Sequence, residues 1–108
     1  MGMRTQLLKG LLDAVVLSII KQKEVYGYEL SQKLLETGLG NISEGTIYPV
    51  LLRLQKKNLI TSEMRESDVG PKRKYYFITD EGIEALEEMN EEWNAIVGPI
   101  SKILNGGH

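Results

Sequence analysis

Ser43-Glu-Gly-Thr-Ile-Tyr-Pro-Val-Leu-Leu-Arg-Leu-Gln-Lys-Lys-Asn-Leu-Ile60 reads as a capped amphipathic helix with a small, hydroxyl-rich start and a basic end. Ser43 suits the cap, because its hydroxyl can accept from a free amide of the first turn. Ile47, Val50, Leu51 and Leu54 recur at the i, i+3, i+4, i+7 spacing of a buried stripe. Gly45, Pro49, Arg53 and Lys56 fall on the opposite side. Pro49 crowds the carbonyl four residues earlier, and Gly45 occupies that position, where the backbone has most room to adjust. A helix with one side in a core and a small first turn on the other can approach a flat polar surface closely.

The flanking sequence supplies a setting for it. Gln6 to Lys21 carries paired apolar residues, among them Leu8, Leu11 and Val15, in a wide helical stripe. After a break at Gln22 to Val25, a second helix is expected from Tyr26, with Leu30 and Leu34 inward. Gly38, Gly40 and Asn41 end it and turn the chain toward Ser43, giving helix-turn-helix order. Beyond Asn58 the period changes to about 2. Leu59 to Glu66 and Lys74 to Thr79 then read as two strands of a hairpin joined across Ser67 to Arg73, with Lys72, Arg73 and Lys74 at its basic tip. Thr79 or Asp80 caps a last helix whose Leu86, Met89, Trp93, Val97, Ile100 and Leu104 follow the spacing of a coiled-coil seam. Gly98-Pro99 is expected to kink or break it. The fold class is mainly α with a small β-hairpin: a winged helix-turn-helix over residues 1–79, followed by a C-terminal dimerisation helix over 80–108.

Composition narrows the function. A chain of 108 residues is one domain with a thin core. It has no cysteine, its only histidine is His108, and no apolar run reaches a membrane-spanning length. The natural expectation is a soluble cytoplasmic protein without metal, cofactor or membrane contact. Catalysis is not expected, since there is no nucleophile–base pair or Gly-rich phosphate loop and the carboxylates crowd an exposed helix face. The net charge of −2 conceals a division: residues 1–79 carry twelve Lys or Arg against eight Asp or Glu, and residues 80–108 carry one against seven. A basic part joined to an acidic one hints at nucleic acid.

The motifs Tyr26-Gly-Tyr-Glu-Leu30, Gly45-Thr-Ile-Tyr-Pro-Val-Leu-Leu-Arg-Leu54 with the Leu-Ile after it, Arg73-Lys-Tyr-Tyr76 and Ile78-Thr-Asp-Glu-Gly82 closely resemble the PadR family of bacterial transcriptional regulators. The likeness covers nearly the whole chain and points to the smaller subfamily, with a single C-terminal helix, which includes regulators responsive to flat aromatic drugs or phenolic compounds. It implies a homodimer joined by first and last helices, with two recognition helices on a palindromic operator and wings on the adjacent backbone or minor groove.

Residue chemistry fits double-stranded DNA as the partner. Ser43, Gly45, Thr46, Tyr48 and Pro49 offer hydroxyls and close approach to base edges and phosphates. Tyr26 and Tyr28 either hydrogen-bond phosphates or pack with their hydroxyls in water, with Tyr28 the better phosphate candidate because Tyr26 falls on the Leu30, Leu34 stripe. Lys72, Arg73 and Lys74 suit phosphates as a wing. Trp93, the only tryptophan, is either seam core or, as the resemblance implies, one wall of a site for a planar aromatic effector at the dimer centre, with Asn90, Val97, Leu8, Leu11 and Val15 as further walls. The rival reading is a winged helix used as a protein-interaction module without specific DNA binding.

Overall fold

The computed structural model describes residues 2–66 and 70–106. The expected turn at Ser67 to Val69, and His108, lie outside the described residues. The stripe after Ser43 forms helix over Glu44–Lys56, and Ile47, Val50, Leu51 and Leu54 are its buried residues. This helix is α4. Before it come α1 (Met3–Leu8), α2 (Leu12–Gln22), strand β1 (Val25–Tyr26) and α3 (Gly27–Glu36); after it come β2 (Ile60–Arg65), β3 (Arg73–Ile78) and α5 (Asp80–Leu104). Leu12, Val16, Leu17 and Ile20 of α2 and Leu30 and Leu34 of α3 meet the α4 stripe in one core, closed by Val25, Ile60 and Tyr76 from the strands.

Three expectations need correction. The first helix is not continuous: it breaks at residues 9–11, where Leu11 N–H donates to the Leu8 carbonyl at 2.7 Å. Glycine costs about 1 kcal/mol in a helix interior, and α1 buries no residue whose packing would offset that at Gly10. Val25 does not belong to a break: with Tyr26 it forms an edge strand, Val25 opposite Tyr76 and Tyr26 opposite Tyr75, and Tyr26 is at the same time the N-cap from which α3 starts as expected. The hairpin is therefore part of a three-stranded antiparallel sheet ordered β1-β3-β2. Two β-prone residues beside the open edge of β3 favour this pairing. Finally, the expected break at Gly98-Pro99 does not occur: α5 runs through it as one helix of 25 residues. Pro99 faces Ala95, a small residue, and residues 91–100 are exposed, so water can serve the freed carbonyl.

The joint between sheet and α5 is tight. Asn58 turns α4 into β2 with φ of 62°. Thr79 N–H donates to the Leu59 carbonyl at 3.0 Å, and Thr79 Oγ1 donates to the Asn58 carbonyl at 2.7 Å while accepting from Gly82 N–H at 2.9 Å. This caps α5 and presses its first turn onto the end of α4. A Cβ at Gly82 would collide with the Leu59 carbonyl oxygen and lie 2.7 Å from Ile78 Cγ1. Gly82→Ala is thus expected to destabilise the protein by about 3 kcal/mol through overpacking against backbone. Urea denaturation checks this, and an unchanged midpoint at unchanged slope contradicts it.

Candidate nucleic-acid interface

With its stripe buried, α4 turns Gly45, Tyr48, Pro49, Leu52, Arg53 and Lys56 outward. Ser43 caps it as expected: its Oγ accepts from Thr46 N–H at 3.3 Å and lies 3.2 Å from Thr46 Oγ1. Ser43 and Thr46 therefore share a local hydrogen bond at the helix start and keep further acceptor capacity.

Beside this first turn lies an open groove of about 660 Å³ between α3, α4 and β3, lined by Tyr26, Gly27, Tyr28, Glu44, Tyr48, Leu52, Gln55, Arg73, Lys74 and Tyr76. It gathers Tyr26, Tyr28, Tyr48, Arg73 and Lys74 from three parts of the chain. Ser43, the cap of α4, and Gly45, Thr46 and Pro49 on it lie outside the groove, and Lys72 precedes β3, exposed at the wing.

Sequence reasoning missed what holds Tyr48. A Cβ at Gly27 would lie 3.0 Å from Tyr48 Oη and 3.3 Å from its Cζ, so the absence of a side chain at Gly27 lets the Tyr48 ring lie across the start of α3. Glu29 Oε1 accepts from Tyr26 N–H at 3.3 Å, tying that same helix start. Tyr76 at the back of the groove is buried, and burial, followed by the neighbouring Tyr48, raises its phenol above the ordinary value. Gln55 donates to Ser62 Oγ at 3.2 Å, joining α4 to the wing. Glu44 and Leu52 are also lining residues that the sequence did not single out. Only the spacing of Tyr48 and Gln55 along one side of α4 could have suggested them.

Behind α4, Asp13 of α2 takes Arg53 in a two-pronged ion pair: Arg53 Nε donates to Oδ2 at 3.3 Å and Nη2 donates to Oδ1. The Asp13 hydrogen bond, then its charge, raise the Arg53 guanidinium further above its usual value. Arg53 is thereby fixed to the fold.

A second, more apolar pocket of about 890 Å³ opens between α2, α5 and the loop after α3. Leu8, Leu11, Val15, Asn90 and Trp93 line it, together with Ala14, Ser18, Ile19 and Leu86. Val97, one turn beyond Trp93, does not. Along the α5 seam, Leu86 and Met89 pack on the core. Trp93, Val97, Ile100 and Leu104 are exposed in the single chain, Leu104 at 79%. Among the described residues no acidic, His or Cys cluster suits a metal, and no helix is long and apolar enough to cross a membrane.

Comparison with known proteins agrees with this arrangement. The model of the PadR-like transcriptional regulator family matches residues 16–88. The crystal structure of a PadR-like transcriptional regulator from Bacillus cereus is 51% identical, covers 94% of this chain and 98% of its own, and superposes with a TM-score of 0.81. A Streptococcus transcriptional regulator is 45% identical over 92% of this chain and 97% of its own, with a TM-score of 0.79. The transcriptional regulator YqjI of Escherichia coli is 38% identical over 85 residues, 77% of this chain, which spans only 39% of that longer protein.

The Asp13–Arg53 pair joins the helix that lines the apolar pocket to the helix that lines the groove. A double-mutant cycle with Asp13→Ala and Arg53→Ala in thermal or urea unfolding is expected to give a coupling of about 1 kcal/mol at low salt, less at high salt. Coupling of zero at low salt contradicts the pairing.

Proposed function

The chain belongs to the PadR-like family of transcriptional regulators, and on that footing we propose that it is a cytoplasmic homodimeric repressor of a palindromic DNA operator. Residues 1–79 form the DNA-binding module and residues 80–108 the dimerisation helix. The carrying observation is the groove in which Tyr26, Tyr28, Tyr48, Arg73 and Lys74 converge beside the first turn of α4. Ser43, Gly45, Thr46 and Pro49 enter the major groove with α4, and Lys72 joins Arg73 and Lys74 on phosphates at the wing. Tyr48, held against α3 by the space at Gly27, and Tyr28 present hydroxyls to the flanking backbone.

The division of labour is measurable. Neutralising Lys72, Arg73 and Lys74 together is expected to weaken binding to every duplex and to reduce the slope of log affinity against log salt by about 0.9 for each phosphate that goes unneutralised. Thr46→Ala is expected instead to narrow the gap between operator and random DNA by about 1–3 kcal/mol. Gel-shift titrations with DNA upstream of the protein's own gene supply both readouts. Equal salt slopes for wild type and the triple variant contradict the wing assignment. Equal affinity of the wild type for upstream and random DNA favours the protein-interaction module instead.

The exposed seam residues Trp93, Val97, Ile100 and Leu104, with Leu86 and Met89 leading into the core, form the dimer contact together with α1. Two copies of the apolar pocket then meet near Trp93, where Leu8, Leu11, Val15 and Asn90 offer walls to a planar aromatic effector and Val97 closes the end from the dimer seam. Such a ligand loosens the operator only by its differential affinity for the two dimer forms, and a coupling of ~1–3 kcal/mol releases DNA several-fold to about a hundredfold. Trp93 is the sole tryptophan, so its fluorescence reports this site. Phenolic acids or cationic polyaromatic dyes are expected to quench that fluorescence and weaken operator binding together, and a panel that changes neither makes Trp93 simple dimer core.

A further inference from the structure

The sheet face turned from the core carries a line of rings and guanidinium groups. Strand alternation and register put Tyr26, Arg65, Arg73, Tyr75 and Phe77 on that face, opposite buried Tyr76. Arg73 Cζ lies 4.5 Å from the centroid of the Tyr26 ring. Tyr26 in turn meets Tyr75 edge-on, with centroids 5.4 Å apart and 68° between planes. Arg65 closes the line over Tyr75 at 5.2 Å and Phe77 at 5.0 Å.

The two arginines differ in what happens to their charge. Arg65 is paired with Glu24, 3.5 Å away, and the Glu24 carboxyl is lowered first by a backbone hydrogen bond, with Arg65 adding to the effect. Arg73 has no ion pair among the described residues. It is placed by the Tyr26 ring and, among the described residues, left unneutralised. A guanidinium held over a ring by its charge can still direct N–H groups outward, and those groups are what grip a phosphate. Stacking and phosphate binding are compatible for Arg73, whereas a carboxylate partner would compete with the phosphate.

We propose that Tyr26 is a positioning residue for DNA binding, acting through its ring rather than its hydroxyl: it holds the Arg73 guanidinium at the base of the wing, ready for a backbone phosphate. The inference rests on the DNA-binding reading above and differs from a direct phosphate contact by the Tyr26 hydroxyl. The ring attracts the cation through its negative face and limits the rotamers Arg73 gives up on binding. Tyr75, edge-on behind Tyr26, limits the tilt of that ring. Phenylalanine supplies the same face without a hydroxyl, and leucine supplies neither.

The test is a double-mutant cycle on the full chain, read as affinity for duplex DNA from upstream of its gene across a salt series. Tyr26→Phe is expected to bind within about twofold of wild type, and Tyr26→Leu about two- to fivefold more weakly, the range of an exposed cation–π contact. In an Arg73→Gln background, Tyr26→Leu is expected to change nothing further. Should Tyr26→Leu fail to fold by circular dichroism, Tyr26→Val, a strand former, carries the same expectation. A loss from Tyr26→Phe as large as that from Tyr26→Leu makes the hydroxyl the agent and overturns the proposal. So does a loss of the same size with and without Arg73, which assigns Tyr26 a role of its own in the fold. Wild-type protein that binds no duplex at low salt fails at the earlier step and overturns the DNA reading and this inference together.

Discussion

Burial of Ile47, Val50, Leu51 and Leu54 beneath α4 is the contact on which the rest of the molecule depends. Four apolar side chains along one stripe leave the helix a single rotation about its axis at which they are all out of water. That rotation decides which residues face outward, and hence that the hydroxyl-rich first turn is open while Tyr48 folds back across Gly27. The surroundings then hold the helix along its length. Ser43 caps one end, Asp13 holds Arg53 from α2, Gln55 reaches Ser62 on the wing, and the Asn58–Thr79–Gly82 joint fixes the other end. Interface residues placed by a buried stripe and short polar ties need little rearrangement to meet a rigid partner.

Periodicity made the fold largely readable before any coordinates. The α4 stripe, the caps at Ser43 and Thr79, the strands on either side of the wing and the helix of α5 all rest on local patterns of apolar spacing and short-range hydrogen bonding, which a sequence displays directly. The failures share a cause too. Gly10 breaks the first helix because α1 has no fully buried residue whose packing would offset the glycine. Val25 and Tyr26 become a strand because β3, far along the chain, has an open edge. Pro99 is tolerated because its surroundings are wet. Each outcome is set by what lies beside the segment in space rather than in sequence.

The candidate site was legible as a set of residue types and less so as a geometry. Tyr26, Tyr28, Tyr48, Arg73 and Lys74 were identifiable from motif and charge, and the structure collects them along one groove. Their interlocking was not legible: the space at Gly27 under Tyr48, the Tyr26 ring under Arg73, and Glu24 pairing with Arg65 span separations of 21 to 47 residues. Those pairings distinguish cations committed to the fold, Arg53 and Arg65, from Arg73, whose charge is uncommitted among the described residues.

What the single chain leaves exposed points the same way as its groove. Met3 and Leu7 on α1 and Ile96, Ile100, Ile103 and Leu104 on α5 are all exposed in the single chain, and clustered exposed apolar side chains mark an interaction surface. The proposed two-fold pairing would cover these residues and set two α4 helices on one side of a DNA duplex, with DNA geometry dictating their spacing. Hydroxyl-radical footprinting on the DNA upstream of the gene tests that claim most directly. The account predicts two protected patches related by two-fold symmetry, their centres about 34 Å or a multiple of it apart along the duplex. A single unsymmetrical patch, or unprotected DNA at saturating protein and low salt, would contradict it.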